Sequence, residues 1–366
     1  MNPTRTRLAS LFLGILLPLH AAAGPIAPSA VATDNADGLD EVDQFTDVPR
    51  YRDLQYPDWF KQSFLDLRED VKEAAEAGKS GIAIYFGQKH CAYCQAFLEI
   101  DLGKPDIVTY LRRHFDVIPL DIFSDREVTD VQGASLSEKE FSIRENTHFT
   151  PSLIFYNTEG DEVLRLRGFY PPYKFRAALE YVADGHYQNY SFRDYLARAD
   201  PTFTFEEGGL NQDELFAEPP YLLDRSHFTA DRPLVVVFEQ GDCHACDVLH
   251  TEPLGETEIR DRLKQFDVVQ LDMWADTPLL TPDGRKLTAK GWAGQLGLFY
   301  TPTLMFFDEH GKEIVRIDSV VKFHRLKGVL DYVLGKGYLK EPTYLRWAYK
   351  QQLKADEPSG AGQNNP

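Results

Sequence analysis

Positive charge is what this sequence has little of. Its 366 residues carry 39 Lys and Arg against 57 Asp and Glu, a formal net charge of −18 at pH 7. A surface of that sign repels phosphate backbones, so nucleic acid is excluded as a partner. Long apolar runs are missing too. The longest, Leu8 to Leu19, is too short to span a bilayer, which needs about eighteen residues or more. Cysteine is scarce, with four in the whole chain. None stands just after the N-terminal apolar run, so a lipid anchor there is not indicated. None of the pairs is followed by the His of a c-type haem site, because Gln95 and Asp247 occupy those places. Zinc ribbons separate their cysteine pairs by about 15–20 residues, whereas a domain's length of chain lies between these.

What the four cysteines form is one spacing used twice, Cys91-Ala-Tyr-Cys94 and Cys243-His-Ala-Cys246. Each follows an apolar run, Ile82 to Phe86 and Leu234 to Phe238, that reads as a buried strand. Helix formers continue after the first pair, which places its cysteines in the first turn of a helix. The partial positive charge and unpaired N–H groups there favour thiolate over thiol. A loop this small gains only about 2 kcal/mol from cross-linking, so the pair is a poor staple and a good redox couple. A static structural disulfide in one or both places is the alternative.

The chain is long for one core, and 43% hydrophobic residues suffice for two. The repeat is internal. Cys243 follows Cys91 by 152 residues, while Asp272, Pro302 and Gly311 follow Asp121, Pro151 and Gly160 by 151 each. A period this long means duplicated domains rather than a solenoid. Residues 1–23 read as a cleaved signal peptide, with Arg5 and Arg7 before the apolar run and small residues up to Ala23. Residues 24–50 read as a flexible acidic leader, 51–199 and 219–352 as the two domains, 200–218 as a linker and 353–366 as a disordered tail. In the first domain Pro57-Asp58 opens an amphipathic helix reaching Lys79, with Trp59, Phe60, Phe64, Leu65 and Leu67 on its apolar side. Ser124 to Ser137 is polar and reads as a surface excursion. Asp121 and Asp272 end strands and cap a loop or serve the chemistry.

Strand, Cys-x-x-Cys, helix, strand, Thr-Pro and strand, Gly turn, strand, helix: this order resembles the thioredoxin fold twice over, an α/β architecture of two tandem domains with mixed sheets flanked by helices. Asp125-Arg-Glu-Val-Thr, Leu136-Ser-Glu-Lys-Glu and Ala183-Asp-Gly-His-Tyr187 make the first copy similar to SoxW-like and thioredoxin-related secreted proteins. The resemblance implies a periplasmic thiol–disulfide oxidoreductase without cofactor or metal, most directly a dithiol reductase or electron relay. A disulfide oxidase or isomerase, or a client-binding module without turnover, is the alternative. It implies disulfide-containing periplasmic proteins as partners and a membrane thiol-electron transporter as electron source. Cys91 and Cys243 become the exposed attacking residues, and Cys94 and Cys246 the buried resolving ones. Pro151 and Pro302 become cis prolines, with the backbone of Thr150 and Thr301 free to pair with a substrate strand. His90 and His244 become candidates for tuning thiol acidity. His244, directly after Cys243, would favour the thiolate when protonated and so make the second pair the more oxidising.

The sequence departs from the family at three points. Tyr85 and Val237 stand where cytosolic thioredoxins place a buried Asp, and the Lys that accompanies it is replaced, with Pro119 and Gln270 nearby. Gly168 follows the last strand of the first copy, but Ser319 stands there in the second and is expected to crowd its groove.

Overall fold

Apolar strands that read as unbroken runs need cover on both faces, and both central strands receive it. The structure, a computed structural model, describes residues 41–49, 52–199 and 209–356; the expected signal peptide lies outside them. Strand β1 (Gly81–Gly87) is buried along its whole length. Ala83 and Tyr85 point into one core, Ile82, Ile84 and Phe86 into another, as a two-residue period requires. In the second copy β8 (Leu234–Glu239) divides likewise, Val235 and Val237 to one side and Leu234, Val236 and Phe238 to the other.

Each repeat builds a four-stranded mixed sheet. In the first, β2 (Phe115–Asp121) runs parallel to β1, and β5 (Ser152–Asn157) and β6 (Glu162–Leu166) add antiparallel, in the order β2-β1-β5-β6. In the second, β9 (Asp267–Asp272), β8, β12 (Thr303–Phe307) and β13 (Glu313–Ile317) repeat that pairing. The irregularity between Phe155 and Tyr156 recurs between Phe306 and Phe307. The polar stretch after β2 is a hairpin, β3 (Glu127–Thr129) with β4 (Ser135–Ser137). Its counterpart is β10 (Pro278–Leu280) with β11 (Lys286–Thr288), joined by β7 (Tyr221–Leu222). Asp121 and Asp272 each accept the N–H two residues on, from Phe123 at 2.9 Å and Trp274 at 2.8 Å, and so close the turn after their strand.

Two expectations require correction. The first helix of the first domain does not begin at Asp58. It is α1 (Leu67–Glu76), because Leu65 turns to φ 64° and the Asp66 side chain then caps the helix by accepting from Arg68 N. Phe64, expected on the apolar side, is fully exposed. Residues 41–49, read as the end of a flexible leader, are packed. Val42 and Asp47 are buried, and Phe45 sets its ring edge-on against Tyr93 and Phe169.

The two repeats share their interior. Tyr300 and Val320 of the second belong to the core around Cys94, and Phe149 of the first belongs to the core beneath β12. Backbone joins them where Val320 N donates to Phe169 O at 2.9 Å. Gly168 stands at φ 136°, and a Cβ there would come 2.1 Å from Ser319 Oγ. The Gly/Ser difference is therefore one contact: the missing side chain of one copy makes room for the other's. The helix closing each repeat crosses to its neighbour. In α6 (Phe192–Ala199), Phe192 packs on Phe299. In α11 (Tyr344–Asp356), Tyr344 and Tyr349 pack on Phe149 and Phe123.

Candidate active site

The turn after β1 delivers Cys91 to the N-cap of α2 (Ala92–Ala96), which continues as a π-turn through Asp101. Cys91 is bonded to Cys94 as a disulfide. Its sulfur accepts the Cys94 N–H at 3.0 Å and lies 3.3 Å from Thr150 Oγ1 and 3.7 Å from Thr150 O. Gln88 Nε2 donates to that hydroxyl at 3.1 Å, which leaves its proton free to turn to the sulfur. Thr150–Pro151 is cis, as the resemblance implied.

The second pair is built alike. Cys243 caps α7 (His244–Thr251) and is bonded to Cys246, whose N–H it accepts at 3.1 Å. Its sulfur lies 3.5 Å from Thr301 Oγ1, and Thr301–Pro302 is cis. Cys91 and Cys243 are 7% and 8% exposed against 0% and 1% for their partners. The order of burial is the one expected, but the leading sulfurs are nearly covered rather than exposed.

A thioredoxin-like domain model matches residues 67–183 and again 229–334, over half of the chain. The chain belongs to the thioredoxin-like domain family. No curated protein matches it. Among solved structures, a thioredoxin-fold protein from Helicobacter pylori is 21% identical, with 36% of this chain and 92% of that one covered and a TM-score of 0.27. A thioredoxin from Thermus thermophilus is 22% identical over 39% and 95%, with a TM-score of 0.26. A disulphide isomerase from Xylella fastidiosa Temecula1 is 15% identical over 40% and 98%, with a TM-score of 0.24.

The two thioredoxin-like domains differ in what surrounds each sulfur. Thr150 O, expected to be free for a substrate strand, accepts from Arg325 Nη2 at 2.9 Å. Arg325 lies on α10 (Phe323–Leu334) of the second domain, and its guanidinium stacks 3.2 Å from the centre of the Tyr93 ring. Tyr93 is buried, donates to Asp47 Oδ2 at 3.0 Å and accepts from Lys322 N at 2.9 Å. Burial and the neighbouring carboxylate keep its phenol protonated. Asp47 also accepts the N–H groups of His324 and Arg325, the first turn of α10. Four residues earlier, Asp43 accepts from Lys322 Nζ through its carbonyl and meets His244 Nε2 at 2.6 Å. One short segment thus touches both cysteine loops. His90 lies on Asp53 at 3.1 Å, so both candidate histidines have carboxylate partners.

Sequence reasoning missed Asp43, Asp47, Gln88 and Arg325. The signal available was Gln88 and Gln240, each three residues before a leading cysteine, and Lys174 one period before Arg325. It also missed Glu239, buried in the second domain, which accepts from Gln270 Nε2 at 2.5 Å and meets His250 Nε2 at 3.0 Å. Gly87 and Leu98 stand one period earlier, so this pair has no counterpart in the first domain.

Proposed function

We propose that the protein is a thiol–disulfide oxidoreductase with two active pairs, exported to an oxidising compartment and acting there as a dithiol reductase or electron relay on disulfide-containing proteins. One observation carries the reading. In both domains an amide N–H donates to the sulfur of the first cysteine, at 3.0 Å for Cys91 and 3.1 Å for Cys243, and a threonine hydroxyl lies beside it at 3.3 and 3.5 Å. An N–H donor to sulfur at the start of a helix holds a thiolate and has no such use for a static cross-link.

The chemistry follows. In the reduced protein the Cys91 thiolate attacks a substrate disulfide and displaces one substrate sulfur, which leaves as a thiolate and takes a proton from water. Cys94 gives up its proton, attacks Cys91 Sγ and releases the second substrate thiol. The Cys91–Cys94 bond forms, and two electrons have passed to the substrate. Cys243 and Cys246 run the same sequence in the second domain. A membrane thiol-electron transporter returning the electrons completes the cycle.

Insulin reduction by dithiothreitol tests this. Cys91→Ser together with Cys243→Ser is expected to bring the rate to that of dithiothreitol alone, with each single variant between. A double variant that keeps the full rate overturns the proposal.

A further inference from the structure

Arg325 is a buried cation that the exchange chemistry above does not use. Its residue surface is 6% exposed, Nη1 has no hydrogen-bond partner, and no carboxylate ion-pairs with the guanidinium among the described residues. The rings of Tyr93 and Phe149, the Thr150 carbonyl and the Asp47 carboxylate, which accepts the Arg325 backbone N–H, offset part of the charge. A buried charge without an ion pair is costly, so its surroundings favour a further anion. That anion is close at hand. Thr150 O is shared, 2.9 Å from Nη2 and 3.7 Å from Cys91 Sγ. In the disulfide form that sulfur is neutral. On reduction it can carry a full negative charge one shared oxygen away from the guanidinium.

We infer that Arg325, supplied by the second domain, is the positioning residue that stabilises the Cys91 thiolate and so makes the first pair more oxidising than its own domain would. The inference rests on the reading of Cys91 as the redox nucleophile. Reduction by a dithiol adds two electrons and two protons to the pair and oxidises the dithiol to its disulfide. Above the Cys91 pKa one of those protons passes to water, and the sulfur keeps the charge. Arg325 favours that charged product and does nothing comparable for the disulfide, so the equilibrium shifts toward the reduced pair.

The other groups facing Cys91 do not replace it. A cleft of about 320 Å³ over the sulfur is lined by Asp47, His90, Tyr93, His324, Lys327 and Tyr344 among others. Asp47 has its charge engaged by three donors, His90 is turned to Asp53, and Lys327 is paired with Asp331. Burial holds Tyr93 and Tyr344 neutral. His324 is on the same helix and adds to the effect only when protonated. In the second domain Cys243 faces Thr301, and the residue one period before Arg325, Lys174, reaches the Phe299 carbonyl at 3.5 Å. Arg325 acts in the direction opposite to the one expected from the position of His244 after Cys243.

The test uses the full chain with Arg325→Gln, which keeps a donor for Thr150 O and removes the charge, and Arg325→Lys, which keeps the charge. Alkylation rate of Cys91 against pH, located by peptide mass, gives its acidity, and a glutathione titration gives the equilibrium. An opposite charge within about 4–6 Å is worth about one pKa unit or more. Arg325→Gln is therefore expected to raise the Cys91 pKa by about one unit and to lower the equilibrium constant for reducing the Cys91–Cys94 pair about tenfold, which is about 30 mV. Arg325→Lys restores most of both, and the Cys243–Cys246 equilibrium moves much less, which also reports that the second domain is folded. An unchanged Cys91 pKa in Arg325→Gln overturns the inference. So does an equal shift in Gln and Lys, because charge would then not be the cause. Alkylation needs no turnover, so loss of insulin reduction in the wild type would defeat the proposed function while this readout stood.

Discussion

At the scale of single residues, burial decides which groups can carry charge. His148 precedes Phe149 in the loop leading to Thr150, and its Nδ1 accepts the Tyr344 N–H at 3.3 Å. Desolvation pulls its pKa down to about 4. The folded protein keeps the ring neutral, and the unfolded chain protonates it first, near 6.5. Its contribution is complete above about 6.5 and is lost as pH falls toward 4, by roughly 3 kcal/mol at about 1.4 kcal/mol per unit. Urea unfolding at pH 7 and pH 4.5 should show wild-type stability dropping more steeply than that of His148→Asn, which keeps an acceptor. Parallel slopes would mean that His148 is not held neutral. The candidate residues were unevenly legible at this scale. The cysteines repeat at 152 residues and the Thr-Pro pairs at 151, and both are visible in the sequence. Arg325 is not, because its role depends on which face of the second domain meets the first, and spacing within a domain carries no record of that.

At the scale of elements, strands and helices followed from apolar periodicity and the internal repeat, and each of the two four-stranded sheets is mixed, as the resemblance implied. The stretch 58–66 failed for a local reason. Its aromatic spacing suits a helix, but Leu65 in the left-handed region and Asp66 as N-cap start the helix later. The crossing of α6 and α11 was not legible at all, since an amphipathic helix does not say whose groove it fills. Arg193 at the start of α6 is the main tie. It donates to Leu298 O at 2.7 Å and Met273 O at 3.1 Å, and its guanidinium lies 3.9 Å from the centre of the Trp274 ring. Trp274 in turn donates to Gln240 Oε1 at 3.0 Å, three residues before Cys243. Arg193→Ala strands two carbonyls and should cost about 2 kcal/mol, read as a lower urea midpoint. An unchanged midpoint would show that α6 is not held by these bonds.

At the scale of the whole molecule, the described residues form one compact unit, and the loop leading to the first cysteine pair's cis proline meets Arg325 of the second domain. Duplication gave two similar centres. Docking made them unlike by setting Arg325 on the Thr150 carbonyl, and divergence in sequence gave the second domain alone its buried Glu239–His250 pair. The segment holding Asp43 and Asp47 ties both loops to the start of α10. The central claim is that both pairs are redox-active and not structural. A titration of the full chain against glutathione and dithiothreitol buffers, with the thiols of each pair counted by alkylation and mass, tests it most directly. The account predicts that each pair opens and closes as a two-electron couple within the span of known oxidoreductases, about −270 to −120 mV. A pair that stays closed below about −300 mV, where structural disulfides lie, would contradict it.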